Sequence, residues 1–235
     1  MDKKTFIKAV RAWEAKVVAE VLVKEPALAR YVDKIGKTPL HHCAEIDPGK
    51  FRLNVMDSLA TAKALLDAGA DINAIRVIID DGEEFLATPL WYAVAWGKNL
   101  RLVRLLLKAG AHPDNNAMSA AIWDQDRAMA ELLREHGGEI DQKSGSETPL
   151  LRTVKGKRSQ LLPWLVENGA DINAKDSAGY TALHHAARGT HTIAQVEELL
   201  RLGAKSNLKA KDGATPVSLA QAAGKSRLVE LLKSG

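Results

Sequence analysis

Two adjacent histidine pairs, His41-His42 and His184-His185, are the first residues in this chain whose types could do chemistry, as metal ligands or as acid–base groups. Two ligands offered by one helix must lie about one turn apart, whereas neighbours diverge by about 100°. Neither pair therefore makes a two-point chelate by itself. Cys43 follows His42 directly. A nucleophilic thiol needs a base and a partly exposed, electropositive setting, and a packed small residue is the simpler role. Asp80, Asp81, Glu83 and Glu84 surround Gly82 without the spacing of a calcium-binding loop, and read as a solvated acidic turn. The motifs Gly-x-x-x-x-Gly-Lys-Ser/Thr, Gly-x-Ser-x-Gly and His-Glu-x-x-His do not occur. We expect no catalytic residue, no metal ligand and no cofactor.

Arg152, Lys155, Lys157 and Arg158 form the densest basic cluster, a candidate surface for phosphate. The alternative function it suggests is a nucleic-acid-associated regulator, although no aromatic residues interleave with the cations. The whole-chain charge of +4 and pI of 9.1 are too modest to require an acidic partner. An apolar share of 46% and a charged share of 26% describe an ordinary globular chain and exclude extensive disorder. A lone cysteine can close no internal disulfide and assemble no thiolate zinc site. Lys8, Arg11, Glu14 and Lys16 interrupt any secretory signal, and no window approaches the roughly 18 apolar residues of a membrane span. The expectation is a cytoplasmic protein with no membrane partner.

What positions these residues is repetition. Thr-Pro-Leu stands at Thr38, Thr88 and Thr148, with weaker copies at Thr181 and Thr215. A second phrase, Leu-Leu-x-x-Gly-Ala or nearly so, ends at Ala70, Ala111, Gly138, Ala170 and Ala204. The step from Thr148 to Thr181 is 33 residues and from Thr181 to Thr215 it is 34. Each threonine can cap a helix whose first residue is the following proline. Leu102, Val103, Leu105 and Leu106 make an apolar stripe with Arg101 and Arg104 outside it. Gly69, Gly110, Gly169 and Gly203 then end each second helix in a left-handed turn.

A period of 33 with Thr-Pro-Leu-His-x-Ala, as in Thr38 to His41 and in Leu183-His184-His185-Ala186, resembles the ankyrin repeat. The fold class implied is an all-α repeat, an ankyrin-type solenoid of stacked helix-turn-helix units with β-hairpin finger loops. The expected layout is one domain over 1–235: a helical cap at 1–32, repeats at 33–74, 75–113, 114–141, 142–174 and 175–207, and a capping repeat at 208–235. The unit opening at Asn116 has lost the wording and follows a shortened finger. The surplus at Ile46 to Arg52, with Pro48 and Gly49, reads as a loop. An elongated hairpin is expected near residues 75–86, where apolar β-formers flank Asp81-Gly82.

The resemblance implies a non-catalytic scaffold that binds a protein partner of unknown identity, as a monomer, through a concave groove and its fingers. The two residues after each motif block project toward such a groove: Glu45 and Ile46, Ala95 and Trp96, Trp123 and Asp124, Lys155 and Gly156, Arg188 and Gly189. Candidate contacts are Trp96, Trp123, Glu45, Lys155, Arg188 and Tyr180, joined by Ile78, Asp81 and Phe85 of the long hairpin. Trp96 and Trp123 are expected on the same surface of neighbouring repeats, and tryptophan is enriched among interface hot spots. Trp13, Trp91 and Trp164 are assigned to the core. The hairpin reaches over the groove or adds a strand to a partner, or else folds back over the next, shortened finger.

Overall fold

Threonine and proline start the inner helices as their chemistry dictates. In the computed structural model, Thr38, Thr88, Thr148 and Thr215 are extended, and their hydroxyls accept the backbone N–H of His41, Trp91, Leu151 and Ser218. Pro39, Pro89, Pro149 and Pro216 follow at the first helical position, where no N–H is needed. The structure describes residues 1–80, 83–113, 115–141 and 147–234.

Seven helical pairs occur among the described residues. They are α1 Lys3–Arg11 with α2 Ala15–Lys24, α3 Pro39–Ala44 with α5 Val55–Asp67, and α6 Pro89–Ala95 with α7 Leu100–Lys108. Then come α8 Asn115–Trp123 with α9 Arg127–Glu135, α10 Pro149–Lys155 with α11 Leu162–Glu167, α12 Ala182–Arg188 with α13 Ile193–Arg201, and α14 Pro216–Ala222 with α15 Ser226–Ser234. A 3-10 turn, Pro26–Arg30, follows α2. The chain divides into two compact units, 1–121 with 128–138, and 122–127 with 139–235.

In the first unit α1 and α2 do not continue one another, although the apolar spacing from Phe6 to Val21 runs through both. Trp13 breaks the helix with φ of 54°, and its buried indole donates to the Cys43 carbonyl at 3.0 Å. The surplus at Ile46 to Arg52 is not the expected loop. It holds a four-residue helix, α4 Pro48–Phe51, because Asp47 caps it through the N–H groups of Gly49 and Lys50 and Pro48 supplies the first helical φ. Arg52, left-handed with φ of 53°, ends it. Asn54 then caps α5.

The long finger is a hairpin, as its sequence requires. β1 Arg76–Asp80 pairs antiparallel with β2 Glu83–Ala87, with Ile78 opposite Phe85 and Val77 opposite Leu86. That register leaves a two-residue connection at Asp81 and Gly82, which lie outside the described residues. The core under these elements is aliphatic and continuous along each pair, with Leu40, Leu65, Leu90, Leu102 and Leu106 fully buried.

The second unit repeats the pattern. Leu150, Leu151, Leu162, Leu165, Leu183 and Leu199 form its core with Trp164. Asn173 ties its finger to the next repeat, its side chain donating to the Gly203 carbonyl at 3.2 Å and accepting from Lys205 N–H at 2.9 Å. Asn73 does the same in the first unit, to Gly110 and His112.

Candidate functional site

The histidines are used up in holding the helices. Thr38 N–H donates to His41 Nδ1 at 3.1 Å, so Nε2 carries the proton and donates to the Ala87 carbonyl at 3.2 Å, in the next repeat. Burial pushes the His41 pKa down to about 4. His184 repeats the arrangement with Thr181 and Ala214, and burial also lowers its pKa. His42 bridges Asp33 at 2.8 Å and Glu45 at 3.1 Å, while His185 meets Asp176 at 2.8 Å. Cys43 is fully buried, and burial pushes its thiol up to about 12, far from a thiolate nucleophile.

In the first unit the candidates separate into engaged and available residues. Glu45 is engaged: Lys37 and His42 hydrogen-bond it, and Arg11 stands at 3.4 Å. Burial alone would raise its pKa, but the His42 and Lys37 hydrogen bonds outweigh that and hold it at about 2. Trp96 is available. It sits at the C-cap of α6 with 61% of its surface exposed. Gly97 fixes that end of the helix, since a Cβ there would come within 2.2 Å of the Ala44 carbonyl oxygen of the preceding repeat.

The hairpin has two different faces. Phe85 packs edge-on against Trp91 with ring centroids 4.9 Å apart, and Ile78 is its cross-strand partner on the same half-buried side. Arg76, also on this side, donates to the Ile35 carbonyl and to the Tyr92 hydroxyl. Asn116 donates to the Leu86 carbonyl at 2.9 Å, tying β2 to the start of α8. Val77, Ile79 and Leu86 face away and are exposed, with Ile79 at 64%. Trp91, assigned to the core from its motif slot, is half-buried instead, since Phe85 of the finger is what covers it. Asp81 lies outside the described residues.

In the second unit Trp123 has partners of its own. The Arg158 guanidinium lies 4.3 Å from the indole centroid, and its Nη1 donates to the Trp123 carbonyl at 2.6 Å. A Cβ at Gly156 would come within 2.7 Å of the ring, so only glycine lets α10 end against it. This stack breaks up the basic cluster, because Arg158 is committed to Trp123 and Lys155 pairs with Glu147. Tyr180 and Arg188, by contrast, are brought together. The Arg188 guanidinium is 5.7 Å from the Tyr180 centroid, and the Tyr180 hydroxyl donates to Asp212. That hydrogen bond raises the Tyr180 pKa.

Two features escape motif reading. The outward stripe Val77, Ile79 and Leu86 is visible as alternation, but only the Phe85–Trp91 contact says which side of the ribbon turns to solvent. The pairing of Arg158 with Trp123 joins residues 35 apart and has no local signal.

No group of three or more His, Cys, Asp or Glu that could hold a metal occurs among the described residues. No helix among them is long and apolar enough to cross a membrane. Helical pairs opened by Thr-Pro, closed by a left-handed glycine and joined by fingers define a helical-repeat fold. A model described as ankyrin repeats (3 copies) matches residues 90–176 and 150–235, and one described as ankyrin repeat matches residues 35–76. The chain belongs to the ankyrin repeat family. It is 29% identical over 130 residues to an ankyrin repeat protein of Rickettsia bellii, covering 54% of each. It is 30% identical over 183 residues to the nuclear factor NF-kappa-B p105 subunit of Gallus gallus, 73% of this chain and 18% of that one. The crystal structure of the ankyrin repeat domain of Bcl-3 superposes with a TM-score of 0.74 at 24% identity, over 97% of both chains. The chain thus spans about half, or less, of the length of the curated relatives it matches.

Proposed function

We propose that this chain is a non-catalytic scaffold that binds a protein partner, with Trp96 as the anchor of the contact in its first unit. The observation that carries this reading is the 61% exposure of Trp96 at a position where ankyrin repeats make contacts. Ankyrin repeats are a protein-interaction fold, and the caps, histidine bridges and asparagine ties fix each contact side chain before a partner arrives. Little ordering entropy remains to be lost on binding. In the second unit the matching pair is Tyr180 and Arg188, an aromatic and a cation held in contact at a finger and an inner-helix end. The proposal places the protein in the cytoplasm as a monomer, in keeping with a lone, buried thiol.

Nucleic-acid binding through Arg152, Lys155, Lys157 and Arg158 finds less support, since two of the four cations are turned to Trp123 and Glu147. Affinity capture with the native chain and a Trp96→Ala variant tests the reading. Proteins retained by the native chain should be lost from the variant, and nuclease treatment should not change the set. An identical set on both baits removes Trp96 from the contact, and nuclease-sensitive retention replaces the protein partner by nucleic acid.

A further inference from the structure

The second helices of the first unit carry a feature that the partner reading above does not use. α5 and α7 lie side by side and run parallel: Asn99 at the start of α7 donates to Ser58 near the start of α5 at 3.0 Å, and Asn73 just after α5 reaches the carbonyl of Gly110 just after α7. Their buried stripes, Ala62 and Leu65 on one and Leu102, Val103 and Leu106 on the other, turn into the core. Between their opposite faces runs an open groove of about 570 Å³, floored by Leu59, Leu66 and Leu105. Lys63 stands on one wall and Arg101, Arg104 and Lys108 on the other, against one carboxylate, Asp67. No carboxylate among the described residues forms an ion pair with any of these four cations.

We infer that this groove docks an acidic amphipathic helix of a partner protein, at a surface separate from Trp96. Four like charges around an apolar floor repel one another until an anionic ligand neutralises them. Arg101, Arg104 and Lys108 recur at the three- and four-residue steps that keep them on one helix face, with Leu105 among them. A ligand helix with apolar residues at matching steps seats them on the leucines while its flanking carboxylates meet the rim. The nine residues of α7 rise about 14 Å, enough for two to three turns of such a ligand. The same cations would also suit an anionic bilayer, but a trough between two helical ridges matches the curvature of a third helix and not a flat surface.

The test uses the full chain and fluorescent peptides of about 12 residues, with leucines at i, i+3 and i+7 and all other positions Glu in one peptide and Lys in the other. The Glu peptide should bind at least about tenfold more tightly at low salt, with the advantage shrinking as salt screens it. An Arg101→Glu/Arg104→Glu variant should invert that preference while its melting temperature stays within the small range of exposed substitutions. Trp96→Ala should leave peptide binding unchanged, which keeps this result separate from the scaffold reading. Absent or charge-blind binding overturns the inference. So does retention on phosphatidylserine vesicles that the double variant loses while neither peptide binds, which assigns the groove to membranes. Dimerisation abolished by the double variant would instead assign it to a second copy of the chain.

Discussion

Trp96 and Trp123 both follow a motif block, the one as its second and the other as its first groove residue, yet removing them should have opposite consequences. Trp96→Ala deletes a side chain that is already 61% in water. Exposed substitutions of this kind fall within about 0.5 kcal/mol, so the fold should not register it. Trp123→Ala deletes a half-buried indole held between the Arg158 guanidinium at 4.3 Å and the backbone at Gly156. A fully buried Trp→Ala costs about 3–5 kcal/mol, and half burial scales that to about 2 kcal/mol. The cation–π stack adds about 1 kcal/mol. For a chain of this size a loss of about 3 kcal/mol lowers the melting temperature by roughly 6–12 °C. Urea unfolding of both variants, with Arg158→Ala and the Trp123→Ala/Arg158→Ala double variant, isolates the pair. The coupling between the two residues should be about 1 kcal/mol. Partner capture should fail in Trp96→Ala and persist in Trp123→Ala at temperatures where the latter stays folded. Additive single variants, or a Trp96→Ala that unfolds as easily as Trp123→Ala, would refute the division of labour between the two tryptophans.

Two further outcomes follow from the first unit. On the hairpin, Ile79→Lys should change stability by less than about 0.5 kcal/mol, whereas Phe85→Ala, which removes the Trp91 contact, should cost about 1–2 kcal/mol and speed hydrogen exchange over 76–87; equal costs would mean that the ribbon packs by its other face. In acid, His41 and Glu45 both have folded pKa values below their ordinary ones, about 4 against 6.5 and about 2 against 4.5. Their stabilisation is therefore complete above about pH 6.5 and is lost as pH falls toward 2, by about 1–3 kcal/mol for each group. Urea midpoints measured from pH 7 down to pH 3 should fall along that course, and a flat profile between pH 7 and pH 4 would show that His41 is not held neutral by burial.

The scaffold was readable because its rules are local. Thr-Pro at a helix start and glycine at its end act within four residues, and each of those positions in the described residues does what its chemistry predicts, while the β-formers of 76–80 and 83–87 pair as their alternation requires. Asp47-Pro48 is the instructive miss. Proline and glycine together suggest a loop, but an Asp before Pro is also a helix start, and in the structure the capping hydrogen bonds prevail. The turn between α1 and α2 has a long-range cause: the Trp13 indole reaches the Cys43 carbonyl 30 residues on, and the chain bends to deliver it. Pairings of that length carry no mark in a single sequence.

Availability for a partner is decided by the same long-range pairings. The two positions after each motif block include Glu45, Trp96, Trp123, Lys155 and Arg188, Trp96 being the second of its pair and the others the first. Lys37 and His42 take up Glu45, Arg158 covers Trp123, and Glu147 holds Lys155. A side chain already satisfied within its own chain must break those contacts before it can bind anything else, and its gain on binding is reduced by what it gives up. Trp96 has no such debt on its exposed surface, and Arg188, though it lies near Tyr180, remains solvent-exposed. The repeat thus determines where contact positions lie, while charges and rings elsewhere in the chain determine which of them are left to recognise a partner. A substitution at Arg158 or Glu147 should accordingly act on binding indirectly, by releasing Trp123 or Lys155 into the set of available contacts.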